Sequence, residues 1–141
     1  MLFPKKVKHR KWQKDRRNPN KLVVATRGTD LQFGSFGLRA TASSRIKSNQ
    51  IEAARKVVSR TIGKFGKYWI RIFPDRPITQ KADGLGMGKG KGDLQGYCFE
   101  AEPGRILFEV DGVEPAIARE ALRKAGAKLP VKTRIISRND M

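Results

Sequence analysis

The positive charge of this sequence is concentrated in its first 98 residues. They contain 23 Lys and Arg against 6 Asp and Glu, whereas residues 99–141 contain 8 against 7, within a total net charge of +18. A compact fold that carries such an excess repels itself unless a polyanion neutralises it. Nucleic acid is the expected polyanion, because each phosphate contact releases condensed counterions. We therefore expect one part of the molecule to bind nucleic acid and the rest to form an ordinary protein surface.

Length and composition predict a single domain over residues 1–141. With 141 residues, 38% of them hydrophobic, the chain can bury a modest core. No apolar run approaches the roughly 20 residues of a membrane-spanning helix, and the start MLFPKKVKHRKWQK lacks the apolar core of a signal peptide. We therefore expect a soluble, cytoplasmic protein. The only cysteine, Cys98, is expected to be a small buried hydrophobe, and together with the only histidine, His9, it cannot form a structural zinc site. No cofactor is expected.

Residues 1–21 are predicted to form a basic, extended N-terminal arm that becomes ordered on its partner. They contain nine Lys and Arg and one acid, and Pro4 and Pro19 discourage regular structure. Trp12 lies among the cations and suits stacking on exposed bases, which favours an RNA-binding arm over a disordered tail without a specific role. The arm residues predicted to bind RNA are Lys5, Lys6, Lys8, Arg10, Lys11, Lys14, Arg16 and Arg17.

A first helix is predicted from about residue 50 to 65, with Ser48 or Asn49 as its N-cap and Gly66 as its stop. Its apolar stripe, at spacings of three and four, consists of Ile51, Ala54, Val58, Ile62 and Phe65. The rest of its surface is almost purely basic, so the usual Glu–Lys pairs at i,i+4 are largely missing. This favours RNA contact over a merely solvated face. The predicted RNA-binding residues are Arg55, Lys56, Arg60 and Lys64, together with Arg45 shortly before the helix.

The remaining periodic segments predict strands and a second helix. Residues 22–42 resemble strands with glycine-marked turns, in which Leu31 and Phe33 would share a face. Residues 68–73 predict a strand ended by Pro74, and Trp69 within it is expected in the core rather than as a base-stacking platform. Residues 97–101 and 105–110 predict a hairpin, residues 115–127 a second helix, and residues 131–136 a closing strand.

Residues 74–96 are predicted to form a long, flexible loop rich in glycine and lysine. Loops of this length within a domain are commonly functional or disordered. The run Gly-Met-Gly-Lys-Gly-Lys-Gly lacks the Gly-x-x-x-x-Gly-Lys-Ser/Thr pattern of a nucleotide-binding loop, and no helix pattern opens directly after it. Glycine allows a backbone to approach RNA phosphates closely, so insertion into RNA is the better interpretation. The residues predicted to act there are Lys81, Met87, Lys89 and Lys91.

Nothing in the sequence predicts catalysis. His9 lies in the basic arm, where nothing orients it, and the serines have no plausible histidine partner. The acids after residue 99 lack the spacing of a metal site and are expected to lie on solvated faces; they are Glu100, Glu102, Glu109, Asp111, Glu114 and Glu120. We therefore expect a binding protein and not an enzyme.

Seven segments, in order along the chain, resemble the bacterial-type large-subunit ribosomal protein family numbered sixteen. This family is related to a tenth-numbered family of archaea and eukaryotes. The segments are MLFPKKVKHRK at the start, GTDLQFGSFGLRA at 28–40, QIEAARKVVSR at 50–60, KYWIRIFPDRPIT at 67–79, MGKGKG at 87–92, EPGRILFEVDGV at 102–113 and KLPVKTRIIS at 128–137. The likeness spans about residues 1–138 without a missing block.

The resemblance implies an α/β fold of the α+β type, with two helices packed on a largely antiparallel sheet. It also implies binding to large-subunit ribosomal RNA near the site that receives aminoacyl-tRNA. By matching position, approach to tRNA and the peptidyl-transferase region falls on the arm from Lys5 to Arg17 and on Met87, Lys89 and Lys91. Many members carry an arginine immediately before the MGKGKG run, hydroxylated in some; this chain has Gly86 there, so neither that contact nor that modification is carried over.

Three hypotheses about function follow from the sequence. The first is a structural protein of the large ribosomal subunit, with large-subunit rRNA, tRNA and neighbouring ribosomal proteins as partners and with no membrane or small-molecule substrate. The second is a free-standing RNA chaperone or DNA-compacting protein, which would bind many nucleic acids with similar affinity. The third is a basic peripheral membrane protein, whose amphipathic helix would turn the stripe from Ile51 to Phe65 toward lipid.

Overall fold

Two helices and two antiparallel sheets make up the fold of this chain. The structure is a computed structural model, and it describes residues 1–13 and 20–140. The elements in chain order are β1 (Phe36–Ala40), β2 (Ser44–Lys47), α1 (Ser48–Ile62), β3 (Lys67–Ile70), β4 (Arg76–Gln80), β5 (Asp93–Ala101), β6 (Ile106–Asp111), α2 (Pro115–Ala127) and β7 (Thr133–Ser137), followed by a short 3-10 turn, Arg138–Asp140.

The larger sheet has four strands in the order β3-β6-β1-β7, and the smaller has three in the order β2-β5-β4. All neighbouring strands are antiparallel. One hydrophobic cluster joins both helices to the larger sheet, with Phe108 and Val110 of β6 among its fully buried members. The expectation of two helices packed on largely antiparallel sheet is therefore confirmed.

The helix α1 begins and ends earlier than the sequence pattern predicts. Its N-cap is Lys47, whose backbone N–H donates to the Gln50 side chain at 2.8 Å. Ser48 is instead the first residue of the helix, and its hydroxyl donates to the Leu2 carbonyl. The helix ends at Gly63, which has the positive φ of 69° that glycine tolerates. Phe65 lies beyond it and is 92% exposed, so it is not part of the apolar stripe.

The other four members of that stripe are buried as predicted: Ile51, Ala54, Val58 and Ile62. The predicted second helix is also confirmed, over Pro115–Ala127, with Pro115 in its first turn. Cys98 is fully buried, as expected, and burial raises the pKa of its thiol. Among the described residues, no helix is both long and apolar enough to cross a bilayer.

The predicted hairpin over residues 97–110 is wrong, although its turn exists. Gly104 has a φ of 99°, and the Arg105 N–H donates to the Glu102 carbonyl at 3.2 Å. The two strands then diverge: β5 pairs with β2 and β4, whereas β6 pairs with β1 and β3. The turn thus carries the chain from one sheet to the other. The alternation of apolar residues along a strand predicts which side chains face the core. It does not predict which strand lies next to it in the sheet.

Residues 22–35 do not form the strands that were predicted there. Only Phe36–Ala40 of the segment is a strand, and β2, over Ser44–Lys47, was not predicted. The strand expected over residues 68–73 ends at Ile70, and the closing strand is shifted to Thr133–Ser137. A strand extends only as far as a neighbouring strand is present to pair with it. For example, β1 pairs with β7 over its whole length.

The predicted loop over residues 74–96 is shorter in the structure. Residues 76–80 form β4, and β5 begins at Asp93, so the irregular stretch between them spans residues 81–92. Pro77 lies in β4 without breaking it, because β4 is at the edge of the three-stranded sheet. An edge strand can place a residue without an N–H on the side where no ladder hydrogen bond is needed.

Candidate nucleic-acid interface

The outer face of α1 and the residues after it carry three exposed cations. Lys56, Arg60 and Lys64 are all exposed, and within the part of the chain that the structure describes none of them has an ion-pair partner. An exposed cation without a carboxylate neighbour keeps its full charge for an incoming anion. These three residues are thus accessible to an incoming phosphate, and their contact with RNA stays a prediction.

Arg55 is held differently from its neighbours on α1. It is half-buried, and its guanidinium donates to both Glu52 carboxylate oxygens and, at 3.3 Å, to the Tyr68 hydroxyl. The hydrogen bond to Glu52, followed by that to Tyr68, raises the pKa of Arg55. Its charge is therefore largely neutralised by the protein itself.

The described part of the basic arm, residues 1–13, lies against the domain. Leu2 packs on the main hydrophobic cluster, and the Trp12 ring lies under the Arg76 guanidinium, 5.5 Å from ring centroid to the central carbon. Lys5, Lys6, Lys8 and Arg10 are exposed, and Lys11 is half-buried. Lys14, Arg16 and Arg17, also predicted to bind RNA, lie outside the described residues.

Arg45 lies on β2 at the exposed surface, 3.5 Å from a Glu100 carboxylate oxygen. The same oxygen is 2.9 Å from Arg76, which is buried. Glu100 thus lies between two guanidiniums. The Arg45 side chain remains 52% exposed and accessible from solvent, which is compatible with its predicted role.

The Gly/Lys loop, residues 81–92, is stabilised by contacts within itself. The Lys81 ammonium donates to the carbonyls of Gly86 and Gly88, so this lysine helps close the loop. Met87 is fully exposed, and Lys89 and Lys91 are exposed as well. Lys89 has a φ of 62° between two glycines that also have positive φ. This run of left-handed backbone presents the two lysine side chains to solvent.

Glu109 was expected on a solvated face, and the structure shows instead that it is completely buried. Phe108 and Val110 point to the helices, so alternation along β6 directs Glu109 to the opposite face of the sheet. Its partner in β1 is Gly37, over which the Leu31 side chain lies. One sequence signal could have revealed this: Glu109 is the only charged residue in the apolar run from Ile106 to Val110.

The buried carboxylate of Glu109 is fully satisfied. One oxygen accepts hydrogen bonds from the backbone N–H groups of residues 32–34, at 2.9, 3.0 and 3.1 Å. The other lies 2.5 Å from the Arg71 guanidinium. Burial alone would raise the pKa of Glu109, but the hydrogen bonds from Arg71 and the three amides hold it below its ordinary value. Glu109 is therefore charged and fixes the segment before β1.

Trp69 is half-buried rather than in the core. It lies opposite Glu109 in the β3–β6 ladder and so shares its face of the sheet. Its ring stacks on Phe33, with centroids 5.9 Å apart and planes inclined by 22°. The Arg71 guanidinium lies 5.1 Å from the Phe33 centroid. The expectation that Trp69 is a core residue is thus wrong, because the face of β3 that carries it is not covered by the helices.

Across residues 1–13 and 20–140, no group of three or more His, Cys, Asp or Glu side chains could hold a metal ion. Taken together, the structure describes a small α+β domain in which Glu52, Glu100, Glu109 and Glu120 are paired with arginines, and in which exposed cations lie on the arm, α1, the Gly/Lys loop and the C-terminal part. These properties define a class of small, basic α+β domain.

Comparison with known proteins identifies the family. The family model described as ribosomal protein L16p/L10e matches residues 4–136. The chain belongs to this family, as the resemblance of the seven segments predicted.

Several curated relatives match over nearly the whole chain. The large ribosomal subunit protein uL16 of Halorhodospira halophila is 50% identical over 141 residues, all of this chain and all of that protein. The protein of the same name from a Chelativorans species is 50% identical over 138 residues, 98% of each chain. That of Porphyromonas gingivalis is 51% identical over 140 residues, 99% of this chain and 94% of that protein.

Proposed function

We propose that this chain binds large-subunit ribosomal RNA through the exposed cations of its arm and of α1, and that its Gly/Lys loop helps seat aminoacyl-tRNA near the peptidyl-transferase region. As a member of its family, the chain is a structural constituent of the large ribosomal subunit and not an enzyme. It acts within the ribosome, and we propose that this ribosome is cytoplasmic.

The observation that carries the proposal is the absence of internal partners for the exposed cations of α1. Lys56, Arg60 and Lys64 form no ion pair within the described residues, whereas Glu52 pairs with Arg55. Three such cations, two on α1 and one just after it, repel one another in isolation. Phosphates relieve the repulsion and release counterions, which favours binding.

The arm and α1 are joined at one point, which supports a shared role. The Ser48 hydroxyl at the start of α1 donates to the Leu2 carbonyl at 2.5 Å. The first residues of the arm are therefore anchored next to the N-terminus of α1, and the lysines that follow them extend the basic surface of the helix.

The membrane hypothesis loses its support in the fold. The apolar stripe of α1 is the core of the domain: Ile51, Ala54 and Val58 are at most 1% exposed. A helix that used this stripe to bind lipid would have to leave the sheet, and the burial of the stripe opposes such a movement.

The RNA-binding role is tested by neutralising the arm without removing it, because deleting it would also remove the packing of Leu2. The variant replaces Lys5, Lys6, Lys8, Arg10 and Lys11 with Gln. The matched control replaces five exposed cations of the C-terminal part with Gln: Arg123, Lys124, Lys128, Lys132 and Arg134. Tagged proteins are followed through sucrose gradients of cell extracts, with and without ribonuclease.

We expect the wild-type chain and the control to sediment with large subunits and to lose this position after ribonuclease. The arm variant should be enriched in the light fractions. An arm variant that sediments like the wild type would contradict the role of the arm. A wild-type chain confined to the light fractions would favour the nucleic-acid chaperone hypothesis.

The role of the loop is tested separately with Lys89→Gln and Lys91→Gln in one chain. Subunits that contain this variant should form in normal amounts, because the Lys89 and Lys91 side chains are exposed, but they should bind aminoacyl-tRNA more weakly. The control is Lys132→Gln with Lys128→Gln, which makes the same change in charge elsewhere. Equal aminoacyl-tRNA affinity in the two sets of subunits would exclude the loop from the tRNA site.

A further inference from the structure

We propose that Phe33 is a stacking platform for one unpaired RNA base, held in place by the Glu109 anchor beneath it. This inference rests on the proposed RNA binding and adds a site that reads a base rather than a phosphate. The platform consists of the half-exposed Phe33 ring, Trp69 stacked on it and the Arg71 guanidinium over the ring, 5.1 Å from its centroid.

The Phe33 ring is exposed although its backbone is rigidly fixed. It is 51% exposed, yet the amides on both sides of it and its own amide donate to Glu109. The carbonyls of Gln32 and Gly34 accept hydrogen bonds from Arg138, at 3.3 and 2.9 Å. The peptide groups around the ring are thus bound to two charged side chains from other parts of the chain.

Gly34 allows this segment to lie directly on β6. A Cβ atom at Gly34 would be 2.7 Å from the Val110 carbonyl oxygen, which is closer than atoms can approach. The segment therefore cannot accept a side chain there without shifting. The backbone next to Phe33 thus lies close against β6, and the ring itself is positioned by its stacking on Trp69.

A fixed, exposed aromatic ring suits a planar ligand. Ordering the ring before binding removes the entropy cost that a mobile side chain would add to association. Unpaired RNA bases stack on such rings, and the stacking needs no particular base because every base has a π face. A segment that only covered the sheet could do so with its polar groups outward and would gain nothing from an exposed phenylalanine.

The charges around the ring favour a nucleotide as the occupant. Arg71 is compensated by Glu109, whereas the exposed Arg138 has no ion-pair partner in the described part of the chain. Its guanidinium lies at the same segment that carries Phe33, where it can meet the phosphate of a nucleotide whose base stacks on the ring. An apolar protein side chain could cover the ring but would leave this cation uncompensated.

The test uses the full-length chain and two RNA probes: a hexamer of adenylate and a hexamer of abasic ribose phosphates. The abasic probe carries the same charge but offers no base. Phe33→Leu keeps the apolar volume and removes the aromatic face, and Phe33→Trp retains an aromatic face. The matched control is Phe65→Leu, which changes a 92% exposed phenylalanine outside the platform. Affinities are measured by fluorescence anisotropy over a range of salt concentrations.

We expect Phe33→Leu to weaken binding of the adenylate hexamer about tenfold, the effect of losing one stacked base, with no change for the abasic hexamer. The slope of affinity against salt should stay the same, because no phosphate contact is lost. Phe33→Trp and Phe65→Leu should bind both probes like the wild type. In a Trp12→Phe chain, fluorescence from Trp69 should be quenched by the adenylate hexamer and not by the abasic one.

Three outcomes would overturn the platform. Equal adenylate affinity in Phe33→Leu and the wild type would show that no base uses the ring, and a protein neighbour would then be its occupant. Equal losses for both probes would show a general disturbance rather than stacking. A wild-type chain that binds neither probe even at low salt would overturn RNA binding itself, so failure of the platform and failure of the proposed function are distinguishable.

Discussion

The two helices of this domain bury equivalent apolar faces, but their outer faces differ in how the charged side chains are paired. Each contributes a stripe of four buried residues to the core: Ile51, Ala54, Val58 and Ile62 from α1, and Ala118, Ala121, Leu122 and Ala125 from α2. Each also begins without an acid in its first turn. In their buried stripes, the two helices are therefore equivalent amphipathic elements.

The outer faces differ in how their charges are paired. On α2, Glu120 lies 2.6 Å from Arg123 and 4.0 Å from Lys124, and Arg119 lies over the Phe36 ring. On α1, the outward cations Lys56 and Arg60 form no ion pair among the residues that the structure describes. The comparison teaches that similar buried faces can accompany different pairing of surface charge, and this difference in pairing is the basis on which we propose α1, and not α2, as a binding face.

Replacing one buried residue in each helix with alanine tests whether the two buried faces contribute equally to stability. Ile51→Ala and Leu122→Ala should each lower the free energy of unfolding by about 2–5 kcal/mol, because each leaves a cavity in a packed core. Urea unfolding followed by circular dichroism measures both. RNA affinity of the folded fraction should not change. A large loss in only one of the two variants would mean that the helices do not share the core equally.

Replacing the cations of one outer face at a time with glutamine tests whether the two faces differ in RNA binding. Lys56→Gln, Arg60→Gln and Lys64→Gln in one chain should lower RNA affinity about a hundredfold near physiological salt, since three phosphate contacts and their counterion release are lost. Arg123→Gln, Lys124→Gln and Lys128→Gln should change it far less. Filter binding over a salt series should also show a shallower slope for the first variant only. Equal losses would make net charge, not the α1 face, the determinant.

Freeing the cations of α2 should make this helix resemble α1. Glu120→Gln removes the carboxylate that pairs with Arg123 and Lys124 and should raise RNA affinity about threefold, the effect of making one further cation available. Glu114→Gln makes the same change in net charge but frees no paired cation, and it should raise the affinity less. If both variants gain equally, pairing on α2 has no influence on RNA binding.

The smallest effect is expected in how the pair of Glu120 and Arg123 changes RNA affinity with pH. The hydrogen bond from Arg123 lowers the pKa of Glu120 below its ordinary value of 4.5. The carboxylate therefore stays charged above that value, and its charge is lost only as the pH falls through the lowered pKa. The affinity difference between the wild type and Glu120→Gln should be constant from pH 7 to about 4.5 and should vanish at lower pH. A difference that already disappears near pH 6 would contradict the pairing of Glu120 with Arg123.

Local sequence predicted the elements whose determinants lie within one segment. The span of α2 follows from Pro115 and the apolar spacing, and the four buried positions of α1 follow from spacings of three and four. The N-cap of α1 could not be predicted in this way, because β2 pairs with the distant strand β5 up to Lys47 and the helix begins directly after it, at Ser48. The hairpin failed for a similar reason: β5 and β6 each have better partners in different sheets.

The residues of the candidate site, like the helices and strands, could be predicted from the sequence only in part. The excess of cations on α1 follows from the composition of one helix, and the structure leaves Lys56, Arg60 and Lys64 exposed. Arg55 shares that helix but is held by Tyr68, a residue of β3. Trp69 and Glu109 were both assigned to the wrong environment, because the face of the larger sheet that carries them is covered by an irregular segment whose position no local pattern indicates.

The sequence by itself determined the charge asymmetry, the two amphipathic helices and the membership of a ribosomal protein family, because each of these depends on residue types and spacing along the chain. The tertiary structure alone decided which charges remain free and which aromatic ring is presented. A carboxylate such as Glu109 changes from a solvated acid to a structural anchor when the Arg71 guanidinium and three amides from residues 32–34 reach it. Such pairing depends on distances across the fold, and spacing along the chain does not specify those distances.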